Sequence, residues 1–413
     1  FGVVALNFAV ISRLAHQSSR WLIIGITVAN LSVLAFFKYW PWLDSDSARS
    51  LLLAGLPLGI SFYLFQAIAF QIDFSRGLIS RPRFLDFALF LSFFPQLIAG
   101  PIVHGRQLLP QLRDLGARPC ATGLGLTLLS LGLAKKVLIA DTLAGGVDAI
   151  YLGKHQLDTI TTMAAGIGFG AQLYFDFSGY ADMAVGLGLL FGIRLPQNFR
   201  RPYAATSLSD FWRRWHITLS TFLREYLYIG LGGNRCGQLR RSGNLLVTMT
   251  IGGLWHGAGW QFVLWGFAHG FLLAIEHAFR SWFPKIVLWI PRLVSQIFTL
   301  GFVMFLWIPF RASDLGEANR LMRSLFDWTL PIIPSIGEVF APVQFMSSSS
   351  SSPVVILFWS LLVIGFAGLR PTAWRWALAA GSMKRGAVCS VLLLVVLKTL
   401  ADRLDQPFLY FQF

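Results

Sequence analysis

Long apolar runs with almost no charge constrain this chain more than any other feature. They are Trp21–Phe37, Leu51–Phe70, Thr122–Ala140, Leu293–Phe310, Val354–Gly368 and Ala387–Leu397. A helix crosses a bilayer with roughly 20 apolar residues, and with fewer if flanking side chains snorkel. With ambiguous segments included, about ten such stretches can be drawn. Only 13% of the 413 residues are charged and 55% are hydrophobic. Soluble domains carry about a quarter charged residues, so water is not the solvent for most of this surface. Trp40 and Trp42 stand at a segment end, where indole rings sit at headgroup level. The expected fold is all-α: a polytopic integral membrane protein with about ten transmembrane helices plus re-entrant or interfacial helices. Residues 1–413 read as a single membrane domain, with Ser347–Ser352 as a solvated, flexible loop.

The formal net charge is +15. On a soluble protein that excess points to nucleic acid. Here the Arg/Lys bias of cytoplasmic loops accounts for it, and no nucleic-acid partner is expected. Cys120, Cys236 and Cys389 lie far apart and form neither a disulfide framework nor a metal-ligand spacing. No HExxH or clustered Cys/His set occurs, so no metal is expected. The chain begins at Phe1 inside an apolar run, without a signal-peptide pattern, and reads as starting at a fragment boundary.

Two regions break the helix pattern. Phe84–His104 contains Pro95, Gly100 and Pro101, and has arginines on both flanks. Prolines remove helix hydrogen bonds, and positive charge on both sides conflicts with a single crossing. A re-entrant segment and a kinked spanning helix both satisfy this pattern. The second region, Arg194–Arg241, has nine arginines against Asp210 and Glu225, a balance of +7. Ser207-Leu-Ser-Asp210 resembles a capping box, so a helix is expected to begin there. Phe211, Trp212 and Trp215 interleave with Arg213 and Arg214, as on a helix lying along the interface.

Ionisable groups inside apolar segments are expensive and are functional candidates by default. Asp176 and Asp182 are six positions apart and face different sides of a helix, so they are not an acid/base dyad. Tyr180 shares a face with Asp176. The structural alternative is that each Asp binds an Arg or a backbone N–H between helices. His216 is four residues after Trp212 and four before Ser220, which puts all three on one helix face. His256 stands among Gly252, Gly253, Gly257 and Gly259, which let a substrate or another helix approach closely. An imidazole there can take a proton from a hydroxyl as its oxygen attacks an acyl carbonyl. A packed structural histidine is the competing reading. His269 lies about 140° around a straight helix from His256, so it reads as structural, as does His277. His16, His104 and His155 read as interfacial. Gly230–Arg235 (GLGGNR) offers either a phosphate nest or an ordinary turn.

The segments LPLGISFYLFQAIAFQIDFSRG, FFPQLIAGPI, GLAKKVLIAD, YFDFSGYADMAVGLGLLFGIRLPQNFRRPY, FWRRWHITLSTFLREYLYIGLGGNR, GLWHGAGW and the terminal FLYFQF run through most of the chain. In this order they resemble the membrane-bound O-acyltransferase family, and within it the alginate O-acetyltransferase branch. The resemblance implies helices ringed around a central funnel, open to both faces. It implies that His256 in LWHG is the central active-site histidine and His216 in RRWHITLS the second. Trp255, Asp176 and Tyr180 would support them. No cofactor is implied beyond acetyl-CoA as acyl donor, and Trp212, Arg213, Arg214, Asn234 and Arg235 are its expected contacts. A periplasmic acetyltransferase partner protein, a polysaccharide acceptor and a bacterial inner-membrane location are also implied. Family chains carry a further apolar segment ahead of the position of Phe1. D-alanyl transfer to teichoic acid, or acetyl transfer to peptidoglycan or cellulose, are alternatives within the family. A transporter is the alternative outside it.

Overall fold

The structure, a computed structural model, describes residues 2–15, 19–43, 59–97, 100–116, 118–329, 334 and 351–401. His16, most of the serine run and the terminal FLYFQF lie outside the described residues. All regular structure among the described residues is helical. The chain divides into two compact units, residues 1–129 with 180–197, and residues 130–179 with 198–413.

The first unit contains α1 (Gly2–Leu14), α2 (Arg20–Leu43), α3 (Ile60–Ser75), α4 (Phe84–Ser92) and α5 (Gly105–Arg113). Buried amides join three of these helices. Asn7 and Asn30 exchange hydrogen bonds of 3.1 and 2.9 Å, and Gln71 Nε2 donates to Asn7 Oδ1 at 2.5 Å. Between helices that lie in lipid such pairs act as glue, because hydrocarbon offers the amides no other partner. His104 and Asp73, both buried, stand 3.6 Å apart. His104 is therefore an interior residue, not the interfacial one its place near a segment end suggested.

The proline-broken segment is resolved into pieces. Helix α4 has nine residues, about 14 Å of rise, too short for a core of roughly 30 Å. A single turn, Phe94–Leu97, follows, and residues 101–104 carry no regular structure before α5. Arg83, ahead of α4, and Arg113, at the end of α5, both reach the Asp86 carboxylate, at 3.2 and 3.0 Å. Arg113 also donates to Ser80 Oγ at 3.3 Å. The segment thus leaves and returns to one place.

Two helices run through both units. Helix α6 (Thr122–Tyr151) holds a π-helical stretch at Lys135–Ala140. Helix α7 (Thr159–Leu190) contributes its part up to Gly179 to the second unit. There the two helices touch: a Cβ on Gly179 would stand 2.7 Å from Gly132 O and 3.2 Å from Lys135 Cβ. Beside this crossing Lys136 Nζ lies 2.5 Å from Asp141 and 3.2 Å from Asp176. Asp176 is therefore one of three members of an ionic cluster inside an apolar helix pair, paired as the structural alternative expected but with a lysine in place of the expected arginine.

The second unit continues with α8 (Leu208–Trp212), α9 (Ile217–Phe222), α10 (Gly237–His256), α11 (Trp260–Trp282), α12 (Arg292–Arg311), α13 (Leu315–Ser324), α14 (Pro353–Leu369), α15 (Ala373–Ala379) and α16 (Ser382–Ala401). Among the described residues four helices are long and apolar enough to span a membrane: α2, α6, α11 and α12. The bent pair α14 and α15 makes a fifth if counted as one span. Among the described residues, which omit much of the run Leu51–Phe70, the expected count of about ten is not confirmed. Segments such as α4 are short and broken, and α7 and α10 carry charge within their length, namely Asp176 and Asp182, and Arg240 and Arg241.

Candidate active site

Helices α10 and α11 form a tight hairpin, turned by Gly257–Gly259. Gly253 and Gly266 face each other where the helices cross. A Cβ on Gly253 would stand 2.9 Å from Gly266 Cα, and one on Gly266 would stand 3.0 Å from Gly253 Cα. A Cβ on Gly257 would enter the Phe262 ring. These glycines serve helix approach, whereas Gly252 lines an open space. The hairpin also separates His256 and His269 onto different helices, so their spacing on one straight helix does not apply.

That open space is a cavity of about 320 Å³, and His256 lines it. The imidazole is half-buried, which leaves it reachable. Trp265 and Phe310 hold it edge-to-face at 5.2 and 5.1 Å, and the Trp255 ring lies 4.8 Å away. Leu219, Leu223 and Met249 form apolar wall, and Arg213, Arg224 and Arg241 supply positive charge. Four buried polar atoms on the lining have no hydrogen-bond partner among the described residues: Ser209 Oγ, Arg241 Nε, Thr248 Oγ1 and Trp265 Nε1. Buried polar atoms are nearly always paired, so a ligand with acceptor atoms fits this wall.

Arg224, Tyr228 and Asn234 also line a second cavity of about 650 Å³, with Arg235 and Arg240. Its floor is the GLGGNR turn. Gly232 and Gly233 have φ of +110° and +57°, which only glycine adopts without strain. Tyr228 Oη donates to Asn234 Oδ1 at 2.7 Å, and Asn244 Nδ2 to Gly233 O at 3.3 Å. This polar, basic antechamber shares Arg224, Tyr228 and Asn234 with the lining of the space that holds His256.

His216 does not line either cavity. Helix α8 starts at Ser207, whose Oγ accepts from Asp210 N at 3.0 Å as the capping pattern required, but it ends at Trp212. His216 then takes φ +42°, a left-handed conformation rare for a non-glycine residue. Asn198 holds it there. Its Oδ1 accepts from Thr218 N at 3.2 Å and Thr218 Oγ1 at 3.0 Å, and lies 3.1 Å from His216 Nδ1. Because Oδ1 is already the acceptor of two donors, His216 Nδ1 carries the proton and Nε2 is the basic atom. Burial pushes the imidazole below the ordinary histidine range, towards the neutral form. The break removes the shared face of Trp212, His216 and Ser220. His216 packs on Phe177 at 4.7 Å and on Trp255 at 6.4 Å, so Trp255 touches both histidines. Nor do the aromatics of this stretch lie on a membrane surface: Phe211 and Trp215 are buried and stacked at 5.5 Å.

The matching family model is that of the membrane-bound O-acyltransferases, over residues 4–312. The chain belongs to the membrane-bound O-acyltransferase family. It is 40% identical to the peptidoglycan O-acetyltransferase of Helicobacter pylori, over 78% of this chain and 69% of that protein. It is 37% identical to a probable alginate O-acetylase, AlgI, of Pseudomonas putida, over 96% of this chain and 85% of that one. It is 26% identical to the teichoic acid D-alanyltransferase of Bacillus subtilis, over 70% and 77%. The protein is therefore an O-acyltransferase and a multi-pass membrane protein.

Of the residues singled out in the sequence, this acyltransferase gathers His256, Trp212, Arg213 and Asn234 on one cavity and places Arg235 on the adjoining one. Arg214 lines neither. Its Nε lies 2.9 Å from Asp210. Trp212 Nε1 points to His269 Nδ1 at 3.4 Å. Tyr180 is half-buried on α7, in the first unit. His277, taken as structural, lines the His256 cavity with its Nδ1 2.8 Å from Arg241. Asn198, Ser209, Thr248 and Tyr228 were not singled out. Small polar residues in helices and turns carry no local mark of the cavity they meet.

Proposed function

We propose that the chain passes an acetyl group from cytoplasmic acetyl-CoA to a hydroxyl on the outer side of a bacterial inner membrane, for O-acetylation of an extracellular polysaccharide. The relatives named for peptidoglycan and alginate acetylation support this acceptor class. A periplasmic acetyltransferase partner completes delivery to the polymer. The observation that carries the reading is the half-buried His256 in a cavity continuous in its lining with an arginine-rich antechamber. The antechamber, with Arg224, Arg235 and Arg240, holds the phosphates of the donor, to which guanidinium groups bind in bidentate fashion.

His256 removes the hydroxyl proton as the oxygen attacks the thioester carbonyl. Trp265 Nε1–H and Thr248 Oγ1–H are the donors for the oxygen that becomes negative. Collapse expels the CoA thiolate, and the imidazolium returns the proton to it. His216 sets Trp255 from behind and thereby the plane of His256.

The test is His256→Gln and His256→Ala in membranes, with acetyl-CoA turnover and polymer acetylation measured at equal protein level. A general base is worth about 10²–10⁴-fold, so both variants should fall by at least that. Acetylation retained within a factor of a few removes His256 from the role.

A further inference from the structure

The basic stretch is divided between two places, and only one belongs to the acyl-donor path. A separate pocket of about 360 Å³ is lined by Arg200, Arg201, Arg213, Arg214, Arg375 and Asp210. Five guanidinium groups meet one carboxylate there. Asp210 is shared by Arg214 at 2.9 Å and Arg213 at 3.9 Å, and Arg201 donates to Gly368 O. Arg200 and Arg375 are exposed and make no ion pair among the described residues. Such a gathering of like charge is costly until an anion enters it.

The pocket lies at the end of a membrane-spanning stretch. Apolar α14 ends at Leu369, and after Arg370-Pro-Thr372 the chain bends by 52° into α15, AWRWALA. Thr372 Oγ1 caps that turn, accepting from Arg375 N at 3.3 Å. Trp374 and Trp376 flank Arg375, and the Arg370 guanidinium covers the Phe366 ring at 5.9 Å. Tryptophan and arginine at the end of an apolar helix mark headgroup depth. Phosphate is the anion fixed at that depth.

We propose that Arg200, Arg214 and Arg375 bind the phosphate of an anionic phospholipid, seating α15 on the membrane beside the catalytic unit. Guanidinium forks match phosphate oxygens. The site is independent of His256 and of the acyl donor's identity.

The test reconstitutes the full chain in nanodiscs of phosphatidylglycerol and phosphatidylethanolamine and counts retained lipids by native mass spectrometry. Wild type should retain phosphatidylglycerol selectively. Arg200→Gln/Arg375→Gln removes two charge-assisted contacts and should lower that retention at least about tenfold. Binding of soluble 3′,5′-ADP should be unchanged in the same variant. Phosphatidylglycerol retained equally by the variant overturns the proposal. So does loss of 3′,5′-ADP binding with lipid retention intact, which would assign the pocket to a soluble phosphate. Both side chains are exposed, and an unchanged elution profile verifies folding. Arg375→Gln alone serves if the double variant aggregates.

Discussion

Replacing Gly253 with Ala tests how far the site depends on the α10–α11 crossing. The added methyl would stand 2.9 Å from Gly266 Cα and 3.0 Å from Gly266 N, and nearer still to Phe262 O. Ordinary carbon contacts are about 3.5–4.0 Å, so clearing Gly266 Cα alone takes a shift of about 0.6–1.1 Å, and clearing the nearer Phe262 O takes more. Backbone atoms on both sides leave no flexible side chain to yield. Overpacking of this kind costs about 1–3 kcal/mol. The functional cost should be larger, because His256 lies three residues beyond Gly253 and Trp265 lies next to Gly266. A shift near 1 Å in positioned groups lowers rates about 100-fold. Melting of the purified protein in detergent and acetyl-CoA turnover in vesicles read the two effects separately. Gly301→Ala on α12 is the control, since nothing lies within 4 Å of its added Cβ. It should be neutral or stabilising by up to about 1 kcal/mol. Wild-type melting and turnover in Gly253→Ala would refute the claim that this contact sets the position of His256.

Lys136→Met removes the ammonium paired with half-buried Asp141 and buried Asp176 and should destabilise by about 3–5 kcal/mol. Lys136→Met combined with Asp176→Asn should recover part of that loss in thermal melts, and strictly additive losses would count against the pair. Arg224→Gln/Arg241→Gln should raise KM for acetyl-CoA by about tenfold or more, whereas Arg214→Gln, which lines neither cavity, should leave it unchanged. Equal effects from the two would refute the division of the basic stretch. Cysteines at Arg81 and Leu115, both exposed and flanking the α4–α5 excursion, should react with an impermeant maleimide from the same side. Labelling from opposite sides makes the segment a crossing.

Sequence reasoning succeeded where a residue's partners are its chain neighbours. The apolar runs on α2, α12 and α14, the Ser207 cap and the glycine-rich surroundings of His256 are all local patterns. It failed where a distant residue decides. The run Thr122–Ala140 has Lys135 and Lys136 near its end and stops before Asp141. Yet α6 continues to Tyr151, with Lys136 paired to Asp141 and to Asp176, forty residues on. The shared face of Trp212 and His216 assumed an unbroken helix. Asn198, eighteen residues earlier, stabilises the left-handed turn that breaks it.

The same cause governs the number of spans. Composition reports the transfer energy of each residue as if it stood alone, but a buried ion held between two carboxylates no longer presents that energy to the membrane. An apolar segment with charges can therefore be either a span with internal partners or an interfacial helix without them. Only the partner's position separates the two. For this acyltransferase that distinction matters at the site as well as in the frame. Arg213 and Arg214 are adjacent in sequence and equal in charge, but Asp210 engages Arg214 at 2.9 Å and Arg213 only at 3.9 Å, and Arg213 is exposed on the His256 cavity. Which arginine can meet a phosphate in that cavity is decided by where the carboxylate lies, not by the charge count along the chain.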